Sequence, residues 1–203
     1  MKFPDVNSQE ELLDLLEDVI DATSLREVAE MFNVVTNTVD RWFLLGEIPR
    51  QYYFDLAEMT GFKLDYSEFS FRDKDQFFTP PDTATYCYGV LCNKLAELGI
   101  DETKYNYIEP SAGAGSFLNI LPASRRTGID IEPRSDEIIE ADYISWKPST
   151  DDNIVIGNPP FGLRGHLALR FLNHSNKFAD FVAFVLPQLF ASDGKGSPKK
   201  RVE

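Results

Sequence analysis

Apolar residues recur at helical spacing over the first sixty positions. They change to short β-branched and aromatic runs after about position 76, so the chain switches character once. In QEELLDLLEDVIDA, residues 9–22, Leu12, Leu13, Leu15, Leu16, Val19 and Ile20 form a helical stripe with an acidic back. Ser24 with Glu27 three residues on is a capping-box start, and Leu25, Val28, Ala29 and Phe32 continue at helical spacing. Asn33 and Val34 read as a short turn. Thr36 then opens a helix that runs through Leu45 and is closed by Gly46 and Pro49. A further helix is predicted over about Arg50–Met59, stopping at Gly61.

From Gln76 the pattern alternates. Pro80 and Pro81 introduce a helix predicted to reach about Leu98. KYNYIEP reads as a strand, followed by the Gly-rich SAGAGSF and a helix to about Leu121. RRTGIDIEP and NIVIGNPPF are further strands, and EIIEADYISW is either a helix end or a third strand. Residues 165–177 look helical, and FADFVAFVLPQLF is a nearly all-apolar fifth strand. Apolar strands separated by helices imply an α/β fold whose parallel sheet is covered on both faces. The predicted organisation is a small all-α domain over residues 1–65 and a sheet domain over residues 66–203, with a linker around Phe62–Asp75.

Length and composition narrow the function. A chain of 203 residues can build one domain with a substantial core and a smaller second one. No apolar run approaches the roughly 20 residues that would span a bilayer, and the acidic, amphipathic start is unlike a signal peptide. Cys87 and Cys92 fall on one predicted helix and read as reduced core thiols, which suits a cytoplasmic location. His166 and His174 have no ligand cluster around them, so no structural metal is expected. The net charge of −13 argues against a generic nucleic-acid coat or a membrane-surface binder. That charge is uneven: residues 1–70 hold 15 Asp and Glu against 5 Lys and Arg, whereas residues 71–203 hold 18 against 15. A local basic groove in the second part is therefore not forbidden.

Two short helices joined by a tight turn, the second bearing Thr36, Asn37, Thr38 and Arg41 on its early turns, match a helix-turn-helix. With Trp42, Gly46, Ile48 and Pro49, the segment resembles phage Cro-like and excisionase-type DNA-binding domains. Thr36, Asn37, Thr38 and Arg41 are the DNA-contact candidates. The alternative is a plain helical bundle, which the acidic surroundings favour.

In an open parallel sheet, ligands sit beyond the carboxyl ends of the strands. The first strand ends in Glu109, Pro110, Ser111, Ala112, Gly113, Ala114 and Gly115, the second at Asp130, the third candidate before Asp142 and Tyr143, and the fourth at Asn158, Pro159, Pro160 and Phe161. Glycines let a backbone approach a ligand closely. No Lys-Ser/Thr follows them, so the loop is not a phosphate-gripping one. Asp130 suits a ribose diol, because an ionised carboxylate accepts from two hydroxyls. Asp142 suits the exocyclic amine of an adenine, with Tyr143 beside it to stack. A nucleoside without phosphates is the implied ligand.

The order DQFFTPP, YIEPSAGAGSF, TGIDIEP, IIEADYISW, VIGNPPFG, FADFVAFVLP resembles the amino-methyltransferases, and among them the DNA adenine-N6 group whose cofactor motifs precede the Asn-Pro-Pro-aromatic motif. The resemblance covers about Gln76–Phe190. It implies a Rossmann-like, S-adenosylmethionine-dependent methyltransferase sheet. It assigns the methionine part of the cofactor to Thr79 and to the loop of Glu109, Pro110, Ser111, Ala112, Gly113 and Gly115. The ribose falls to Asp130, with Ile131 beside it, and the adenine to Asp142 and Tyr143. Catalysis falls to Asn158, Pro159, Pro160 and Phe161, acting on an adenine everted from duplex DNA. An RNA adenine, a glutamine side chain, or a non-catalytic DNA-binding role are the alternatives, because an Asn-Pro-Pro-aromatic motif serves any planar amine or amide nitrogen.

Members of the group continue with further strands and a target-recognition region after the point where this sequence stops. The chain is accordingly expected to be truncated after the fifth strand and to need a C-terminal recognition segment or subunit. Lys195, Lys199, Lys200 and Arg201 fall in a Gly/Pro/Ser-containing tail.

Overall fold

The computed structural model describes residues 3–5, 7–32, 34–62, 78–162, 165–191 and 202, and the chain divides into two compact units, Met1–Lys74 and Asp75–Glu203. The predicted domain boundary at 65/66, the linker after Phe62, Asn33 of the predicted turn, and the four basic tail residues lie outside the described residues.

The first unit carries four α-helices among the described residues: α1 (Gln9–Ala22), α2 (Leu25–Met31), α3 (Thr36–Leu45) and α4 (Tyr53–Thr60). Ser24 caps α2: the Glu27 N–H donates to its Oγ at 3.1 Å, and its hydroxyl donates to the Glu27 carboxylate at 3.2 Å. Gly46 ends α3 in the left-handed region, φ +67°. The predicted third helix starts instead as a 3₁₀ turn, Arg50–Tyr52, directly after the extended Pro49, and becomes α4 only at Tyr53. Leu12, Leu16, Val28, Val39, Ile48 and Leu56 are buried. Around them Phe32, Trp42 and Tyr52 pack ring on ring, with centroids 4.5–5.5 Å apart. Gln9 ties α1 to the entry of α4, donating to the Tyr53 hydroxyl at 2.6 Å and accepting from the Ile48 N–H at 2.9 Å.

The second unit is α/β. Helix α5 (Pro81–Glu97) starts with proline inside its first turn, where the missing N–H costs nothing. Five strands follow: β1 (Asn106–Pro110), β2 (Arg126–Asp130), β3 (Ile138–Glu140), β4 (Asn153–Gly157) and β5 (Phe181–Phe184), with α6 (His166–Ser175) before the last. They pair in the order β3-β2-β1-β4-β5, and every pairing is parallel.

Alternation along the strands feeds two cores. Tyr107, Ile154 and Ile156 face Ala84, Leu91 and Leu95 of α5, while Ile108, Ile129 and Val155 pack with Phe171 of α6. Both faces of the sheet are thus covered, as near-continuous apolar strands require. EIIEADYISW resolves as the short strand β3. The fifth apolar run contributes only four paired residues, all half-buried, because Pro187 and a 3₁₀ turn at Gln188–Ala191 follow. Cys87 and Cys92 lie on α5 as free, half-buried thiols.

One expected element is not there. The helix predicted from the glycine loop to about Leu121 is a series of turns ending in a 3₁₀ turn at Leu118–Ile120. Gly113 and Gly115 both take positive φ. The amides of Phe117 and Leu118, which would have entered a helix, are captured by the Glu109 side chain.

Candidate active site

The chain builds β1, β2 and β3 outward in one direction and then returns to lay β4 on the other side of β1. Such a reversal opens a crevice beyond the carboxyl ends of the two central strands. The ends of β1 and β4 abut there. A side chain at Gly157 would begin 3.4 Å from the Cδ and carbonyl oxygen of Pro110 and 3.7 Å from the Cγ of Glu109. Asn158, the next residue, therefore emerges beside the start of the glycine loop.

The loop is held from below by carboxylates. Glu109 is 3% exposed, and its two oxygens accept from the N–H groups of Phe117 (3.1 Å) and Leu118 (2.6 Å). Asp130, 7% exposed, accepts from the Gly113 N–H and from the Glu132 N–H, each at 2.7 Å. Ser111 stands in the left-handed region at φ 50°, and its hydroxyl donates to the Pro110 carbonyl at 2.6 Å. Ala112 is buried against Gly128, and its N–H donates to the Ile129 carbonyl at 2.9 Å. Burial raises the pKa of both acids. Glu109 is pushed up to about 7 by desolvation, against the pull of its two amide donors. Asp130 is raised by desolvation as well.

Glu109 consequently links folding to pH. Its folded pKa lies above the ordinary 4.5, so the folded state holds the extra proton, and the associated stability is lost as pH rises from about 4.5 through about 7. The melting-temperature advantage of the wild type over Glu109→Gln is expected to shrink between pH 5 and pH 8. A gap that is constant across that range would contradict this ionisation behaviour.

Phe78 and Thr79, just before α5, lie beside the loop. Phe78 lies against Gly113, where an added Cβ would meet the ring at 3.3 Å, and the Arg134 guanidinium stands 4.6 Å from the centre of that ring. The Arg134 N–H also donates to the Gly113 carbonyl at 3.1 Å. Thr79, the next residue, accepts a hydrogen bond from Asn158 Nδ2 at 3.2 Å. Phe78 and Thr79 therefore touch the glycine loop on one side and the Asn-Pro-Pro-Phe turn on the other. Asn158 Oδ1 is buried, with no hydrogen-bond donor to it among the described residues.

Ile131 sits 39% exposed just past the tip of β2. Asp142 is exposed beyond β3, and its Oδ1 accepts from the Ile144 N–H at 3.0 Å. The Ala141 N–H donates to the Asp130 carbonyl at 2.9 Å, which keeps Asp142 on the same edge of the sheet as Asp130.

Tyr143 is a correction. Its ring is 2% exposed, packed on Phe171 at 5.1 Å and on Trp146 at 6.3 Å, and its hydroxyl pairs with Ser175 at 2.7 Å. Committed to the α6 core, that ring is not open to stack on an adenine.

Pro159 is buried, while Pro160 and Phe161 are half-buried. Phe161 packs against the cluster of Ala168, Leu169 and Phe190. Gly165, at φ +74°, lets Phe190 approach, since a Cβ there would come within 2.6 Å of its ring. Phe78, Arg134 and Phe190 shape the site without having been singled out for it from sequence. Two of them were visible inside quoted motifs, DQFFTPP and FADFVAFVLPQLF, but nothing local reveals which loop each one supports.

The DNA-contact candidates lie on α3 of the first unit. Asn37 and Arg41 are exposed, one turn apart, and Thr36 and Thr38 are half-buried. Among the described residues no group of three or more His, Cys, Asp or Glu could hold a metal ion, and no helix is long and apolar enough to cross a membrane.

No family model matches the chain, and no solved structure matches it. Over 105 residues it is 32% identical to the type II methyltransferase M.CvrRI of Paramecium bursaria Chlorella virus XZ-6E. The match takes in 45% of this chain and spans 26% of that relative's length. The five-stranded parallel sheet is consistent with a Rossmann-like methyltransferase fold.

Proposed function

We propose that this chain transfers a methyl group from S-adenosylmethionine to the N6 amino group of an adenine in DNA. The observation that carries the reading is the junction at the switch point. One short segment, Phe78–Thr79, contacts both the glycine loop and Asn158, so a nucleoside cradle and a planar amide stand side by side.

The residues present suit the cofactor. Each Asp130 oxygen already accepts one backbone N–H. An ionised carboxylate offers about four acceptor positions, so it keeps capacity for both ribose hydroxyls. Ile131 offers exposed apolar surface next to it for the face of a base. Asp142 is exposed on the same edge to accept from an exocyclic amine. Thr79 and the loop from Glu109 to Gly115 would hold the methionine part. The backbone provides that contact, because Gly113 and Gly115 adopt left-handed conformations and no α-helix stands behind them.

S-adenosylmethionine supplies an electrophilic methyl carbon on a sulfonium. The chain's part is to prepare the nitrogen. The lone pair of an aromatic amine is delocalised into its ring, which makes it a poor nucleophile. Asn158 Oδ1 and the Pro159 carbonyl accept its two N–H bonds, draw it toward tetrahedral geometry and turn the lone pair toward the methyl. Pro160 donates no hydrogen bond and stiffens the turn. Phe161, supported by Phe190, offers a ring face to an everted base. The methylated nitrogen is acidic and sheds its proton without a strong base. Positioning of this kind can supply up to roughly 7–11 kcal/mol of the barrier reduction.

The exposed Asn37 and Arg41 of α3 favour DNA over the other planar substrates. The test is label transfer from methyl-tritiated S-adenosylmethionine to separate pools of duplex DNA, RNA and protein. Label recovered as N6-methyladenine in DNA is expected. Label confined to RNA or to glutamine side chains would overturn the choice of substrate.

A further inference from the structure

We propose that Thr79 is a positioning residue for Asn158, fixing which way its side-chain amide faces, in addition to any contact with the cofactor. This rests on the methyltransferase reading above and extends it to a residue for which that reading has only a binding role.

An asparagine amide is nearly symmetric in shape, and a half-turn about its last torsion exchanges donor for acceptor. Turned the wrong way, Asn158 would present N–H groups to a substrate amine that itself donates, and the two could not pair. Something must therefore select one orientation. The Thr79 hydroxyl lies 3.2 Å from Asn158 Nδ2 and acts there as the acceptor. Accepting from the nitrogen directs the amide oxygen to the other side of the group.

A hydroxyl can donate as well as accept, so it serves this purpose only if it is held in place with its own proton directed away from Asn158. Thr79 sits between two anchors. On its chain-leading side Phe78 is lodged against Gly113, with the Arg134 guanidinium over its ring, and Arg134 is tied to the same glycine through its own backbone N–H. On the following side, Pro80 and Pro81 restrict the backbone and open α5. Thr79 thus has little freedom to withdraw. The arrangement also joins the two halves of the site, because the glycine loop sets Phe78, Phe78 carries Thr79, and Thr79 orients the amide. A ligand that orders the loop would by this route steady Asn158.

The alternative, that Thr79 only holds the cofactor, predicts a different pattern. Thr79→Val keeps the shape and removes the acceptor, while Thr79→Ser keeps the hydroxyl. Two readouts are needed: steady-state methyl transfer at saturating S-adenosylmethionine, and proton exchange of the Asn158 side-chain amide followed by ¹H–¹⁵N NMR in the full chain. With Thr79→Val, kcat is expected to fall about tenfold or more, beyond whatever rise in the KM for S-adenosylmethionine follows from the lost cofactor contact. The Asn158 amide protons should exchange several-fold faster, and Thr79→Ser should restore both quantities. A rise confined to KM, or an Asn158 amide indifferent to the valine substitution, would overturn the proposal. If the wild-type chain transfers no methyl group, that failure belongs to the functional reading, and the amide exchange alone still decides the role of Thr79.

Discussion

Asn158→Ala is expected to lower methyl transfer by roughly 100- to 1,000-fold, the range for losing one preorganised hydrogen-bonding group at a reacting centre. Affinity for S-adenosylhomocysteine should stay within a few-fold of wild type. The separation follows from position. Asn158 stands one residue past β4, beside Thr79, whereas the groups assigned to the nucleoside stand at the end of β2 and past β3. Removing the amide also removes one hydrogen bond to Thr79, a loss of about 1 kcal/mol that the fold can absorb. Rate measurements at saturating cofactor, paired with calorimetry, check both halves. Equal loss of transfer and of cofactor binding would mean that Asn158 supports the cradle rather than the chemistry.

Asp130→Ala is expected to do the reverse, lowering cofactor affinity by about 100-fold or more. Two effects add. Hydrogen bonds to a charged group are worth about 1.5–3 kcal/mol each, and the ribose would lose two. The N–H groups of Gly113 and Glu132 would lose their acceptor as well, loosening the glycine loop from β2. Asp130→Asn separates the contributions, because it keeps the shape and one accepting oxygen while removing the charge, and its affinity should fall between the other two. Calorimetric titration of the three proteins makes the comparison. Unchanged affinity in Asp130→Ala would remove the ribose role.

Much of the frame was readable from local pattern. Ser24 and Glu27 announce the start of α2, and Gly46 announces the end of α3, because capping and left-handed termination are decided within a few residues. The alternation of Tyr107 with Ile108 and of Ile154 with Val155 places the two cores, since strand side chains point to opposite faces in turn. Polar residues at the strand ends locate one edge of the sheet.

What stayed hidden depends on contacts between distant residues. The helix expected after the glycine loop fails because Glu109, eight and nine residues earlier, takes the amides that such a helix would use. Tyr143 follows a strand and an acid, a setting equally compatible with solvent or core. Only the packing of α6, with Ser175 thirty-two residues on, commits the ring inward. The meeting of Phe78, Gly113 and Arg134 joins three segments, and no spacing rule foretells it.

The central claim is that the crevice at the β1–β4 junction binds a nucleoside cofactor and presents Asn158 to its methyl group. Isothermal titration of the chain with S-adenosylhomocysteine tests this most directly. Saturable binding of one ligand per chain, retained in Asn158→Ala and lost in Asp130→Ala, is the expected result. Heats no larger than those of dilution with the wild-type protein, at ligand concentrations up to the millimolar range, would contradict it.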